Sequence, residues 1–233
     1  MSAPTRPSKL VFVPELLLVP FVLLLLAALF PVAAQEPTGD EGQFITIGSP
    51  ITSEVVNNVK STVESARSRK ITKIVFDFNP DSRESSSPDF GPCYDLASYI
   101  RGLHDIVTIG YVHNKVKRHS VMPLLACKEI VMSSAGSFGE IEPDPSAPKD
   151  QGQITLYRNM AGEARAAIVL KMIDPNVEVM EGRKNNAAYY FDRREQAQAE
   201  AAGVVGIKPE PVLPRGKVEM LNQDTRRDSA CAN

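Results

Sequence analysis

The sequence predicts an α/β fold built around a mostly parallel sheet, and three observations carry the prediction. Near-continuous apolar runs occur at Ile74 to Phe78, Ile106 to Val112 and Glu129 to Met132, the pattern of parallel strands covered on both faces. Segments with apolar residues at helical spacing lie between them, so strand, helix and strand recur as βαβ units. A chain of 233 residues, 43% hydrophobic and 23% charged, is long enough to bury one full α/β core, which makes one main domain the expectation.

Taken in order, Gln35 to Gln43 read as a Pro/Gly/acidic linker and Phe44 to Ile47 as a short strand. Thr52 or Ser53 caps a helix whose apolar face is Val55, Val56, Val59, Val63 and Ala66. The strand Ile74 to Phe78 stops at Asn79-Pro80-Asp81-Ser82, and the run Ser85-Ser86-Ser87-Pro88-Asp89-Phe90-Gly91 predicts a polar, mobile loop. Tyr94, Leu96, Ala97, Ile100 and Leu103 give a second amphipathic helix. After the strand Ile106 to Val112 come a basic polar turn from His113 to His119, a short apolar helix from Ser120 to Cys127, the strand Glu129 to Met132 and a Ser/Gly loop. Glu140 to Gln153 is a Pro/Asp loop, and Ile154 to Leu170 reads as one helix ending before Asp174-Pro175. Val177 to Met180 and Ala188 to Phe191 pair as a hairpin around Gly182 to Asn186, and Arg193 to Ala202 is helical. The organisation expected is a signal peptide or anchor over 1–34, a linker over 35–43, the main domain over 44–175, a small α+β extension over 176–223 and a disordered tail over 224–233.

At the N-terminus, Arg6 and Lys9 precede a charge-free run from Leu16 to Phe30, and Val32-Ala33-Ala34 stands before Gln35. That is the pattern of a secretory signal peptide, with a retained membrane anchor as the competing reading. Both send the rest of the chain across the membrane, so an extracytoplasmic location is expected. A formal net charge of -2 offers no basic surface for nucleic acid. Cys93, Cys127 and Cys231 are an odd count without metal or disulfide spacing, and His104, His113 and His119 are scattered. Neither a metal nor a cofactor is expected.

Leu124 to Gly139, LLACKEIVMSSAGSFG, resembles the ClpP/crotonase superfamily, and most closely its membrane-bound ClpP-class serine proteases of the NfeD type, relatives of signal peptide peptidase A. It is similar to the segment of small apolar residues, strand and Gly/Ser loop found there. Ile74 to Pro80 is similar to the strand ending in that family's Pro-Gly-Gly turn, and Tyr157 to Ala161 with Met172-Ile173-Asp174-Pro175 matches a later piece. The resemblance covers roughly Phe44 to Met180. It implies a ClpP/crotonase-like spiral of βαβ units, a serine nucleophile just before the short helix, and a lysine base on a later segment. A serine hydroxyl needs such a base, and the oxyanion needs backbone N–H donors.

Counted without gaps from Leu125-Ala126, the serine position falls on Arg118, with His119 and Ser120 in place of two small residues. Ser120 lies two residues downstream, and Lys149 stands eight residues before Tyr157, which matches the family lysine's spacing. One reading is therefore an active Ser120–Lys149 peptidase cleaving apolar membrane-protein segments, with backbone donors at Asp81, Ser82 and Val121. The other is a peptidase-like protein with impaired or lost catalysis and a binding or assembly role. Arg118 replaces the serine, Asp81 and Ser82 replace glycines, and the Asp81 carboxylate brings negative charge to an oxyanion site. A third reading, a crotonase-like acyl-thioester enzyme, conflicts with the secretory N-terminus. Blander roles stand beside these: Ser120 as an N-cap, Lys149 as a solvated lysine, and Lys115, Lys117, Arg118 and His119 as an exposed basic loop or a seat for an acidic group. Partners expected are peptide or membrane-protein segments, a further copy of the chain, and the membrane if the N-terminal segment is kept.

Overall fold

The computed structural model describes residues 42–144, 146, 148, 150–218 and 220–222. The signal segment, most of the linker, Lys149 and the tail beyond 222 lie outside the described residues. The first elements are β1 (Gly42–Thr46), α1 (Ser53–Ser68), β2 (Lys73–Asp77), β3 (Ser85–Ser87) and α2 (Phe90–Arg101). Next come β4 (Val107–Val112), β5 (Lys115–Arg118), α3 (Val121–Leu125), β6 (Glu129–Met132) and β7 (Ser137–Gly139). The remainder is α4 (Gln151–Ala161), α5 (Ala166–Lys171), β8 (Val179–Lys184), β9 (Ala187–Asp192), α6 (Gln196–Ala201) and β10 (Met220–Asn222).

A parallel sheet in the order β1-β2-β4-β6 forms the centre. A second sheet runs β10-β7-β5-β3, parallel except where β10 joins β7. From β2 onward the chain alternates between the sheets, β2, β4 and β6 in the first and β3, β5 and β7 in the second. This alternation winds the chain into a spiral of βαβ units with a mostly parallel sheet, as the sequence predicts. One face of the central sheet, through Ile45, Ile74, Phe76 and Val112, joins the core. There α1 contributes Val56, Val59, Val63 and Ala66, four of the five residues read as its apolar face. Thr52 caps that helix, its Oγ1 accepting from the Val55 N–H at 3.3 Å. Gly110 lets Leu124 and Cys127 approach β4, since a Cβ there would stand 2.4 Å from Leu124 Cδ1.

Four local expectations are corrected. The Ser-rich run is not a mobile loop, because Ser85–Ser87 form β3 and the first and last of them are buried. Within the basic turn, Lys115–Arg118 form β5, whose backbone is engaged by β3 and β7 on either side. The helix expected over 154–170 is two helices, broken at Gly162 with φ +79. In the hairpin, the turn is Asn185-Asn186, both at positive φ, the type I′ geometry that matches strand twist. Gly182 lies inside β8 instead, where a Cβ would meet Val204 Cγ1 at 2.4 Å. Among the described residues no helix is long and apolar enough to cross a membrane.

Candidate functional site

The turn before α3 is built by β5 and held by β3. Arg118 ends β5 as an exposed residue at φ +51, a left-handed conformation that non-glycine residues seldom adopt. Asp81 and Ser82, in the turn after β2, are also left-handed, each at φ 56. The Asp81 carboxylate meets the Arg83 guanidinium at 3.0 Å at the surface, and the Ser82 N–H donates to the Asn79 carbonyl at 2.9 Å.

Asn79 clasps this turn to the next. It is fully buried; its Oδ1 accepts from the His113 and Asn114 N–H groups at 3.1 and 3.0 Å. Its Nδ2 donates to the Arg83 and Lys115 carbonyls at 2.9 and 3.0 Å. The Asp77 carboxylate, at the end of β2, accepts the Asn79 N–H at 2.9 Å and lies 3.0 Å from His113 Nε2.

Ser120 stands at the N-cap position of α3, but its side chain caps nothing. It is fully buried, and its hydroxyl lies 2.7 Å from the Ser87 hydroxyl. Ser87 in turn accepts the Ile51 N–H at 2.8 Å. Beside it, burial pushes the Cys93 thiol up to about 12, against the opposite pull of the Ser87 hydroxyl. Ser120 therefore sits in a buried, neutral cluster of hydroxyls and a thiol. Removing the Ser87 hydroxyl leaves the Ile51 N–H and the Ser120 hydroxyl without this partner. A Ser87→Ala variant is expected to lose about 1–3 kcal/mol in urea unfolding.

His119 is engaged by Tyr157 and Phe90. Its Nδ1 lies 2.9 Å from the Tyr157 hydroxyl, and its ring meets Phe90 edge-on at 5.4 Å. Burial lowers its pKa below 6.5, and burial holds the Tyr157 phenol well above its usual value. Between the lowered folded pKa and 6.5 the unfolded chain binds the extra proton. Stability is then fully present above pH 6.5 and falls as pH drops from there through the folded pKa. Urea midpoints between pH 7.5 and 5 are expected to show a downward slope on acidification that is shallower in His119→Gln.

Of the residues singled out from the sequence, Ser120, Arg118 and Val121 come together at the β5–α3 turn, Asp81 and Ser82 lie in the turn after β2, and Lys149 is outside the described residues. Lys117 is bound to Glu84 and Glu140 at 3.5 and 3.0 Å, a paired lysine in a strand. Sequence reasoning does not find Ser87, Cys93 and Phe90 as members of this cluster. Their signal is slight, since a polar run gives no period, although the burial alternation of Ser85 and Ser87 is that of a strand. Among the described residues no cluster of His, Cys, Asp and Glu could hold a metal ion.

No protein-family model and no curated protein matches this chain. Several solved structures are similar to it. The 1510-N membrane protease specific for a stomatin homolog, from Pyrococcus horikoshii, is 17% identical with a TM-score of 0.46, over 57% of this chain and 62% of that one. A lysine-to-alanine mutant of the 1510-N membrane-bound stomatin-specific protease in complex with a substrate peptide is 14% identical with a TM-score of 0.45, over 67% and 70%. A "putative enoyl-CoA hydratase" from Streptomyces avermitilis is 14% identical with a TM-score of 0.40, over 70% and 62%. This chain thus spans less than two thirds of the first and last of these. The similarities are of chain path, and the fold described above rests on this chain's own strand order.

Proposed function

We propose that this protein keeps a ClpP-class protease fold of the NfeD and signal peptide peptidase A type as a binding or assembly module with impaired or lost Ser–Lys catalysis. It would act on the extracytoplasmic side of a membrane, released or tethered according to the fate of its N-terminal segment. Its ligands would be apolar peptide or membrane-protein segments, taken up through strand pairing at a sheet edge. The observation that supports this reading most is the state of Ser120, fully buried with its hydroxyl on Ser87. A nucleophile must reach a substrate carbonyl and a base together. Arg118 at the serine position and the Cβ-bearing residues Asp81 and Ser82 at the glycine positions support it further.

A fluorophosphonate probe tests this, with an active relative as positive control. The expected result is no labelling of the full chain, together with saturable binding of a fluorescent apolar peptide that Ser120→Ala leaves unchanged. Labelling or peptide cleavage abolished by Ser120→Ala and by Lys149→Ala would replace the proposal with an active dyad. Saturable binding of a coenzyme A ester would instead favour the acyl-thioester reading.

A further inference from the structure

The C-terminal end of α2, the break between α4 and α5, and β9 enclose a cavity of about 440 Å³. That volume lies within the range that takes a small organic ligand. The floor includes Ala166, Ala167 and Tyr190, all buried. The two alanines leave depth that larger side chains would fill, and a Cβ built at Gly162 on the wall meets nothing within 4 Å. The rim is charged: Arg101, Arg158 and Glu163 are exposed there, and Glu195 is half-buried.

The charges fix the sign of the ligand. Both Nη atoms of Arg158 lie 3.4 Å from Glu195 Oε1. The Glu163 carboxylate accepts from Lys184 Nζ at 3.2 Å and from the Tyr189 hydroxyl at 3.0 Å. Each of these acids has its cation, whereas Arg101 has no carboxylate partner among the described residues. Its Nη1 donates to the Asn159 and Met160 carbonyls at 2.7 and 3.4 Å, which anchors the guanidinium at the end of α4, where a cation is favoured. The Nε–Nη2 edge makes no hydrogen bond among the described residues, and that edge has the fork geometry that pairs with a carboxylate. The rim thus carries one unbalanced positive charge over an apolar floor.

We propose that this cavity binds a small organic monocarboxylate, with the carboxylate on the Nε–Nη2 edge of Arg101 and an apolar body over Ala166 and Ala167. A phosphate ester fits less well, because its second negative charge would meet Glu163 and Glu195 on the same rim. A free acid and the C-terminus of a peptide present the same group, and the experiment separates the two. The inference does not rest on the strand pairing proposed above, since no residue of the cavity lies in either four-stranded sheet.

Calorimetric titration of the full chain with 4-phenylbutyrate tests the site. Saturable binding is expected, and 4-phenylbutyramide, which lacks the charge, is expected to bind at least about tenfold more weakly. Arg101→Gln keeps a donor toward the end of α4 but removes the charge, and should weaken phenylbutyrate by a similar factor. Asn159→Asp adds an anion at an exposed position on the rim and should also weaken it, so this variant decides if Arg101→Gln does not fold. Lys217→Gln, exposed and not among the lining residues, is expected to leave binding unchanged. Tighter binding of N-acetyl-Ala-Ala-Phe than of phenylbutyrate, lost on amidating its C-terminus, would identify a peptide terminus as the source of the carboxylate, and the reverse order a free acid. Absence of saturable binding of both acids, equal affinity for acid and amide, tighter binding of phenyl phosphate, or unchanged affinity in folded Arg101→Gln and Asn159→Asp would each overturn the assignment.

Discussion

An Asn79→Ala variant is expected to lose about 3–5 kcal/mol of folding stability, since each backbone group left unsatisfied inside the protein costs about 1–3 kcal/mol and part of that is recovered from water. The side chain is fully buried and makes four hydrogen bonds, two accepted and two donated, all with backbone groups. Those groups belong to the turn after β2 and the turn between β4 and β5, which this one side chain ties together. Alanine removes all four bonds at once and leaves two N–H groups and two carbonyls without these partners. The expected readout is a large fall in urea midpoint with an unchanged slope, because the surface exposed on unfolding stays the same. A midpoint shift corresponding to under about 1 kcal/mol, the size of a single ordinary hydrogen bond, would mean that the clasp is not formed.

Gly136→Ala is expected to cost about 2–3 kcal/mol, at the upper end of overpacking penalties. A Cβ at this position would stand 2.3 Å from the Val112 carbonyl oxygen, 3.1 Å from its carbon and 3.2 Å from the Ser133 nitrogen. All three are backbone atoms, and the Val112 oxygen already accepts the Ser133 N–H at 2.9 Å. Relief therefore requires moving the end of β4 or the turn that leads into β7. Gly110→Ala is the informative comparison: its nearest contact, 2.4 Å, is with Leu124 Cδ1, the tip of a side chain that can rotate. Gly136→Ala should fall further in thermal melting than Gly110→Ala. The reverse order would show that the turn yields more readily than the leucine.

Arg118, Asp81 and Ser82 adopt left-handed backbones at three turn positions. Strain of this kind persists only where the surrounding structure holds it. Around these turns the Asn79 clasp and the parallel pairing of β5 with β3 and β7 supply that support. The buried Ser87–Ser120 contact has a different origin, a strand of three serines reaching the start of α3 from 33 residues away.

Local pattern along the chain is enough to place the central sheet and its helices. β2, β4 and β6 are apolar runs, and α1 and α2 carry one apolar stripe each, so period and polarity identify them. The second sheet is a different matter. Ser-Ser-Ser, Lys-Val-Lys-Arg and Ser-Phe-Gly lack the apolar alternation that would announce strands, and they are strands because distant segments supply their backbone partners. The environment of Ser120 follows from that sheet. A serine before a short helix has readings as a cap and as a nucleophile, and the choice of Ser87 as its partner rests on β3 lying beside β5. Long-range strand pairing carries this information, and no local pattern in the chain encodes it.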